Sequence, residues 1–196
     1  MIKRAFDIFF SFTGLIILSP ALIILAVIIK SDSKGPVIYK QSRVGRDNRD
    51  FMLWKFRTMR EDSDKAGLLT VGGKDPRITK AGYFLRKYKL DELPQFVNIL
   101  KGEMSFVGPR PEVRKYVELY DSEQKKVLRV RPGLTDIASI KYRNESELLK
   151  EAPDPEAFYI KEIIPDKIRL NLEYLNDNSV FKDIKVILKT FRAIIS

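Results

Sequence analysis

The sequence predicts a predominantly helical α+β fold. An N-terminal membrane helix is followed by a small helical domain with a short β-hairpin and C-terminal interfacial amphipathic helices. Three observations support this prediction: an apolar run fills residues 5–29, two short stretches of strand-like residues follow it, and much of the remaining chain has apolar residues at helical spacing. With 196 residues the chain is long enough for one globular domain plus an accessory segment. We therefore divide it into a membrane anchor, residues 1–34, and a second domain, residues 35–196.

Composition limits the chemistry that this domain can perform. Lysine and arginine number 36 against 26 acidic residues, and the net charge of +10 favours anionic partners such as nucleotides, phosphorylated lipids, a membrane surface or nucleic acid. The sequence contains no cysteine and no histidine, which excludes thiolate nucleophiles, the usual zinc ligands and the usual neutral-pH general base. Catalysis would have to use carboxylates, lysines or hydroxyls, and any metal is expected to be a hard, oxygen-bound ion such as Mg2+.

The anchor has a proline in the middle of its apolar run. A straight helix over residues 8–29 would reach about 33 Å, enough to cross a hydrocarbon core of about 30 Å. Pro20 removes one helical hydrogen bond, and the hydroxyl of Ser19 is expected to bond the backbone group that becomes free. Basic residues flank both ends of the run, so a bent re-entrant helix and a kinked spanning helix both remain open.

A β-hairpin is predicted directly after the anchor. Its strands cover residues 37–41 and 51–58, with a turn between them that contains glycine and asparagine. In the second strand apolar residues alternate with polar ones, so the face that begins at Met52 is expected to be buried while Lys55 and Arg57 face a site or solvent. An ordinary solvated face is the alternative for these two basic residues.

The middle of the chain contains the strongest candidate site. Apolar residues at the spacing of one helical face predict a helix, and Gly102 is a natural residue to end it. The adjacent carboxylates Asp91 and Glu92 are predicted to open this helix, with Pro94 in its first turn. The free N–H groups of a helix start, together with basic residues just upstream such as Arg86, suit phosphate oxygens. An N-cap role for Asp91 is the alternative.

A rigid loop is predicted after this helix. Gly108, Pro109 and Pro111 restrict the backbone around Arg110, which suits a guanidinium held ready for a phosphate. A structural turn with an exposed arginine is equally compatible with the composition. Residues 112–129, which follow, are predicted to form one helix.

The C-terminal part is predicted to be helical. Asp154 is a good N-cap for a helix that begins at Pro155. From Ser179 onward one helical face is apolar and the opposite face is basic. This last helix is expected to lie on an anionic bilayer, or to pack on the core with a solvated basic face. Residues 61–80 are instead polar and glycine-rich and are predicted to form a mobile loop.

Several motifs together resemble the bacterial sugar transferase family. They are the apolar segment with Ser19-Pro20, KFRTM at 55–59, LDELPQ at 90–95, NILKGEMSFVGPRP at 98–111 and VRPG at 130–133. More narrowly, the chain is similar to the small monotopic phosphoglycosyl transferases. The resemblance covers almost the whole chain, and the run from 90 to 111 is highly specific.

This resemblance implies a reaction. A phosphosugar is transferred from a UDP-sugar to polyprenyl phosphate, usually undecaprenyl phosphate, with release of UMP and a requirement for Mg2+. It implies that Asp91 is the covalent nucleophile, and Mg2+ is expected on the diphosphate and on Asp91, with Glu92 as the other member of the catalytic pair. The candidate phosphate-binding residues are Lys55, Arg57, Arg86, Arg110 and Arg143.

The resemblance also implies a location. The anchor would be a re-entrant helix bent at Ser19-Pro20 in the bacterial inner membrane, and residues 35–196 would be a cytoplasmic catalytic domain. Nucleic acid is not expected as a partner, since no recognition motif is present. A homodimer is left open.

Two positions depart from the family pattern. Asp136 and Tyr142 stand where glycine is frequent, which weakens the assignment of Arg143. The role of Glu92 stays open between holding the metal and receiving a proton. Two rival functions also remain: a single-step phosphotransferase or phosphatase that uses the same carboxylates, and a non-catalytic basic membrane adaptor. The sequence specifies neither the sugar nor the glycan pathway.

Overall fold

The computed structural model describes residues 2–61, 63, 67, 69–72, 75–177 and 179–195. These residues form a mostly helical α+β fold with two small sheets, which confirms the predicted fold class. The helices are α1 (Ile2–Asp32), α2 (Lys80–Lys87), α3 (Gln95–Lys101), α4 (Arg114–Val117), α5 (Ile137–Lys141), α6 (Glu145–Glu151), α7 (Pro155–Phe158), α8 (Ile164–Asn176) and α9 (Val180–Ile195). The strands are β1 (Ile38–Val44), β2 (Asp50–Phe56), β3 (Ser105–Val107) and β4 (Gly133–Thr135), paired antiparallel as β1-β2 and parallel as β3-β4.

The anchor is one continuous helix, α1, of 31 residues with Pro20 inside it. The Ser19 hydroxyl donates to the carbonyl oxygen of Ile16 at 2.8 Å, which is the acceptor that Pro20 leaves without an N–H donor. This contact confirms the expectation for Ser19. By length and composition α1 can cross a membrane, and most of its large apolar side chains are exposed. The re-entrant bend stays a prediction.

Both ends of α1 are attached to the rest of the protein. Near its start, Lys3 donates to the Val107 carbonyl at 2.9 Å and Arg4 donates to the Ile99 carbonyl at 2.6 Å. Near its end, Ile29 is buried in one apolar cluster with Leu85 of α2. The anchor therefore contacts residues 35–196 on both sides of Pro20.

The predicted hairpin is present, but one of its faces is assigned wrongly. Met52 is 49% exposed, whereas its neighbour Leu53 is 3% exposed. The cause is Asn98 of α3, whose side chain accepts from the Trp54 backbone N–H at 3.0 Å and donates to the Met52 carbonyl at 2.8 Å. These two bonds hold α3 along β2, and Leu53 packs with Ile99 of that helix.

The predicted start of the central helix is wrong. Asp91 and Glu92 lie in a 3-10 turn, Leu90–Glu92, and α3 begins only after Pro94, its N-cap. Pro94 has no N–H to offer the Leu90 carbonyl, which accepts from the Leu93 N–H at 3.3 Å and closes the tighter turn.

A residue with a left-handed backbone lies at each end of the segment that contains the carboxylate turn and α3. Lys89, just before the carboxylate turn, has a φ of 55°, which is uncommon for a residue with a side chain. Gly102 has a φ of 86° and ends α3, as predicted. The backbone therefore turns sharply immediately before the carboxylates.

The single helix predicted for residues 112–129 is also wrong. α4 covers only Arg114–Val117, and a separate 3-10 helix covers Gln124–Arg129. Asp121 separates them because its carboxylate accepts from the Gln124 backbone N–H at 2.8 Å, which starts a new turn.

The C-terminal helices follow the predicted pattern more closely. The Asp154 carboxylate accepts from the N–H groups of the first turn of α7, so the predicted N-cap is confirmed. A π-helical turn, Tyr159–Ile163, joins α7 to α8. In α9 the predicted apolar stripe is largely exposed, with Phe181 at 80%, Leu188 at 62% and Phe191 at 60%. This stripe is not packed on the core.

The predicted mobile loop at residues 61–80 is described in part. Ile78 pairs with Met59 in an isolated bridge, and Arg77 is bonded to the Asp75 carboxylate at 2.9 Å. Residues 62, 64–66, 68, 73 and 74 lie outside the described residues, and the mobility of the loop stays a prediction.

Candidate active site

One cavity of about 1870 Å³ brings the candidate residues together. It lies between the hairpin, α2, the carboxylate turn, the Gly-Pro-Arg-Pro loop and helices α5, α8 and α9. Every predicted catalytic or phosphate-binding residue lines it: Lys55, Arg57, Arg86, Asp91, Glu92, Arg110 and Arg143. Residues that are up to 88 positions apart in the sequence, as for 55 and 143, therefore share one space.

Glu92 is buried and fully paired. Its carboxylate accepts from Lys55 Nζ at 3.2 Å and from both terminal nitrogens of Arg110, one of them at 3.2 Å. Burial alone would raise the pKa of Glu92, but the charges of Arg110 and Lys55 outweigh it and hold the pKa well below its ordinary value. Glu92 is therefore a permanent carboxylate that fixes two cations beside the turn.

Asp91, the adjacent residue, differs from Glu92. Its side chain is also buried, yet Oδ1 has no hydrogen-bond partner among the described residues. Burial raises the pKa of Asp91, and the nearby Lys55 charge opposes that shift. Because Pro94 is the N-cap of α3, the alternative role of Asp91 as its cap is wrong. Asp91 thus carries a buried oxygen that is available to a ligand.

Arg86 is held by hydroxyl groups. Its Nε donates to Thr58 Oγ1 at 2.9 Å and its Nη1 donates to Thr70 Oγ1 at 3.2 Å. Among the described residues it forms no ion pair with a carboxylate. Its guanidinium is therefore oriented without being neutralised, which suits an anion. Sequence reasoning missed Thr58, although this residue is part of the KFRTM motif.

The loop around Arg110 is bonded to β4. The Gly108 N–H donates to the Thr135 carbonyl at 3.1 Å, and the Gly133 N–H donates to the Pro109 carbonyl at 3.0 Å. A Cβ at Gly108 would lie 2.6 Å from a backbone oxygen, so only glycine fits this close approach. These contacts agree with the predicted rigidity of the loop, and the cyclic side chains of Pro109 and Pro111 restrict it further.

Arg57 is placed differently from the prediction. Its guanidinium is buried and donates to the carbonyls of Ser33 at 2.7 Å and Ile29 at 3.3 Å, at the end of α1. The Ile29 carbonyl also accepts from the Ser33 N–H at 3.4 Å, so the arginine adds to the sparse hydrogen bonding at the helix end. Arg57 thereby attaches the anchor to the hairpin, and its contacts do not support the predicted role in phosphate binding. Arg143 lies exposed in the turn after α5 and lines the cavity there.

The Asp91 carboxylate is the candidate metal ligand of the site. No group of three or more potential metal-ligating side chains occurs within the described ranges. Glu92 is occupied by two cations, which leaves the Asp91 carboxylate, with its unpartnered Oδ1, as the available group of the pair. Mg2+ commonly takes one or two carboxylates and completes its shell with water and substrate phosphates. The Asp91 carboxylate would therefore be the protein ligand of such an ion.

Comparison with known proteins agrees with the motifs. The bacterial sugar transferase family matches residues 1–196. A UDP-N-acetylgalactosamine-undecaprenyl-phosphate N-acetylgalactosaminephosphotransferase of Aeromonas hydrophila is 36% identical, over 100% of this chain and 44% of that protein. A UDP-glucose:undecaprenyl-phosphate glucose-1-phosphate transferase of Escherichia coli (strain K12) is 37% identical, over 97% of this chain and 39% of that protein.

A further relative has a similar length. The exopolysaccharide production protein ExoY of Rhizobium meliloti (strain 1021) is 34% identical, over 99% of this chain and 85% of that protein. The chain thus spans less than half the length of the first two relatives and most of the third.

Proposed function

Because the chain belongs to the bacterial sugar transferase family, we propose that it transfers a sugar 1-phosphate from a UDP-sugar to polyprenyl phosphate, with release of UMP. The observation that carries this proposal is the buried, unpartnered Oδ1 of Asp91 beside cations that Glu92 holds in place. The names of two relatives include undecaprenyl phosphate, which supports that acceptor.

Asp91 acts as the nucleophile in the first of two steps. One carboxylate oxygen forms a bond to the phosphorus that carries the sugar, the bond from this phosphorus to the bridging oxygen breaks, and UMP leaves with that oxygen. In the second step an oxygen of polyprenyl phosphate attacks the same phosphorus and frees the carboxylate. Polyprenyl phosphate is ionised at neutral pH, so no strong base is needed, in agreement with a chain that has no histidine.

The surrounding cations make this attack between negative groups feasible. Arg110 and Lys55 are fixed by Glu92, and Arg86 is oriented by hydroxyls, so donors are in place before charge develops on the phosphate oxygens. Mg2+ bound to Asp91 and to the diphosphate would neutralise part of the charge that repels the carboxylate. Glu92 is a poor nucleophile because both of its oxygens are occupied.

The anchor enters and leaves the membrane on one face in this proposal. Lys3 and Arg4, near the start of α1, bond backbone carbonyls of the domain that follows the anchor, and a spanning helix would break those bonds. The apolar stripe of α9 is exposed, and this helix is joined to α1 by the Lys3–Asp183 ion pair. Both elements then meet the same membrane surface, on the cytoplasmic side where UDP-sugars are made.

The reaction is tested with a panel of UDP-sugars and undecaprenyl phosphate. UMP release with one sugar, together with trapping of a labelled phosphosugar on the wild-type protein, is expected. Label that is absent from an Asp91→Asn variant would support the two-step route. UMP release without any labelled protein would favour a single-step phosphotransferase, and no UMP release with any sugar would favour the adaptor.

The topology is tested by thiol labelling, because the chain has no cysteine of its own. Cysteines introduced at positions 2 and 34 should both be shielded from a membrane-impermeant reagent in intact cells and should both react after permeabilisation. Labelling of position 2 alone in intact cells would show a spanning helix. Replacing Ser19 and Pro20 with alanine and leucine is expected to increase the spanning form, since it restores the helical hydrogen bond.

A further inference from the structure

A buried carboxylate outside the catalytic pair bonds directly to the loop of Arg110. Asp136 follows β4, precedes α5 and is 2% exposed. Its Oδ1 accepts from the Ser139 backbone N–H at 2.6 Å. Its Oδ2 accepts from the Arg110 backbone N–H at 3.2 Å and from Asn171 Nδ2 at 2.7 Å. One side chain therefore connects α5, the arginine loop and α8.

Only one of these contacts is explained by helix capping. The bond to the Ser139 N–H is an ordinary N-cap interaction, which a serine or threonine would also provide. The second oxygen is directed at Arg110, and Asn171 holds it from the side of α8. The amide orientation of Asn171 is determined, because a flipped amide would place its oxygen against the carboxylate. The Asp136 carboxylate is thus held in position from both sides.

The Asp136 carboxylate helps to determine where the Arg110 side chain can extend. The Arg110 side chain extends to Glu92, while its own N–H is bonded to Asp136. A bond from an N–H group to a carboxylate is stronger than one between neutral groups. Because a displacement of about 1 Å in a substrate-positioning group can change a rate by about a hundredfold, the backbone position of Arg110 is functionally important.

We propose that Asp136 is a positioning residue for Arg110. Together with Asn171 it fixes the backbone from which Arg110 reaches Glu92 and an incoming phosphate, and so it makes α8 part of the active-site framework. Asp136 acts through Arg110, because both of its carboxylate oxygens are bonded to protein groups. The inference rests on the proposed phosphate-binding role of Arg110.

The sharpest test exchanges the two partners, as Asp136→Asn combined with Asn171→Asp. The pair keeps its charge and nearly its volume, and the amide at position 136 donates to the carboxylate at position 171. With the amide NH2 so committed, its one oxygen faces the Ser139 N–H, and the Arg110 N–H loses its acceptor. The bond from Asn171 Nδ2 to the Lys167 carbonyl at 3.0 Å is lost as well, so the Arg110→Ala background described below decides which of the two losses matters. UMP release is expected to fall by about tenfold or more.

Thr190→Val is the matched control. It removes a hydroxyl that bonds Thr135 Oγ1 at 2.7 Å, next to Asp136, and it leaves the Arg110 N–H untouched. Its UMP release should stay within about twofold of wild type, because all the hydrogen bonds of Asp136 remain in place. Equal losses in the control and in the exchange variant would show that the segment matters only for general rigidity, which would overturn the proposal.

A double-mutant cycle separates positioning from folding. In an Arg110→Ala background the exchange should change UMP release by less than about twofold, because the group that it positions is gone. An undiminished effect in that background would overturn the proposal. If the exchange variant does not fold, Asp136→Ser replaces it in the cycle, since a serine keeps the N-cap but is too short to reach the Arg110 N–H.

The same cycle is run on binding of inorganic pyrophosphate with Mg2+ to the full chain, measured by calorimetry. Here the exchange is expected to lower affinity only when Arg110 is present. If the wild-type protein binds pyrophosphate through Arg110 but releases no UMP, the proposed function is contradicted. The positioning role of Asp136 is then decided by the binding measurements alone. Pyrophosphate binding and UMP release that are both unaffected by Arg110→Ala would overturn the inference.

Discussion

Two acidic groups in this protein are surrounded by cations, and they differ in what they leave unpaired. On the surface between α5 and α8, Asp166 accepts from Lys141 at 2.6 Å, Tyr142 at 2.8 Å and Arg169 at 2.6 Å. The hydrogen bond from Lys141 contributes most, and those from Arg169 and Tyr142 add to it; together they hold the pKa of Asp166 below its ordinary value. In the cavity, Asp91 has a buried oxygen without a partner among the described residues, and burial raises its pKa.

This difference in pairing distinguishes a carboxylate that stabilises the surface, Asp166, from one that is available for chemistry, Asp91. Partners of Asp166 are half exposed, where water screens charge and each ion pair contributes little. A buried acceptor without a partner destabilises the fold by about 1–3 kcal/mol, a cost that a bound ligand or ion at Asp91 would offset. Glu92 lies between these extremes, because it is buried like Asp91 and paired like Asp166. It keeps the site folded while Asp91 is left for a ligand.

Asp91→Asn tests the comparison most strongly. UMP release should fall by roughly a thousandfold or more, because the amide keeps the shape and loses the nucleophile. Stability should not fall. Because the pKa of Asp91 is raised, the folded wild-type protein binds the proton of this carboxyl group more tightly than the unfolded chain does. Wild type therefore loses stability as the pH rises from the unfolded to the folded pKa of Asp91. The amide variant does not, because it has no proton to lose.

Urea unfolding of wild type and Asp91→Asn, measured from pH 4 to pH 8 without Mg2+, checks this sign. The stability of the variant relative to wild type should increase with pH. A constant difference would mean that the Asp91 carboxylate is not destabilised by burial, and near-normal UMP release would remove it as the nucleophile.

Glu92→Gln is expected to have the largest effect on stability. Lys55 and Arg110 would lose their carboxylate, and breaking a buried pair typically lowers the free energy of unfolding by about 3–5 kcal/mol. The pKa of Glu92 is lowered, so this contribution is present above the ordinary glutamate range and is lost as pH falls through the folded value. Chemical denaturation at pH 7 and at a pH well below the ordinary glutamate range should therefore show a smaller difference from wild type at the lower pH.

Arg86→Ala is expected to reduce UMP release by about a hundredfold, the scale for removal of one preorganised donor to developing charge. Arg86→Lys is the matched variant: it keeps the charge and loses the fork that bonds both threonine hydroxyls, so it should retain an intermediate rate. Initial rates at saturating UDP-sugar distinguish the two. A loss of less than about threefold for Arg86→Ala would assign Arg86 a structural role only.

Asp166→Asn should have the smallest effect. The variant is expected to lose less than about 1 kcal/mol in the free energy of unfolding, because the cations that surround Asp166 are exposed. UMP release should stay within about twofold of wild type. A loss as large as that of Glu92→Gln would show that a paired surface carboxylate is as important to this fold as a buried one.

Local features were predicted correctly where neighbouring residues determine them. Ser19 bonds the carbonyl that Pro20 frees, Asp154 caps α7, and Gly102 ends α3 with a left-handed backbone. Each of these features depends on groups within about one helical turn along the chain. Local reasoning was wrong where a single side chain or a missing N–H moved a helix boundary, as at Asp121 and Pro94.

The sequence by itself also determined the family and located the carboxylate pair, because contiguous motifs carry that information, and its net charge of +10 predicts anionic ligands. Only the tertiary structure decided which carboxylate is free. The partners of Glu92 are Lys55 from β2 and Arg110 from a later loop, and their distances from it depend on how the elements pack. For the same reason the structure assigned Arg57 to the end of α1 and connected Asp136 to Arg110. A charge is satisfied by what lies within hydrogen-bonding distance in space, which the order of residues along the chain does not specify.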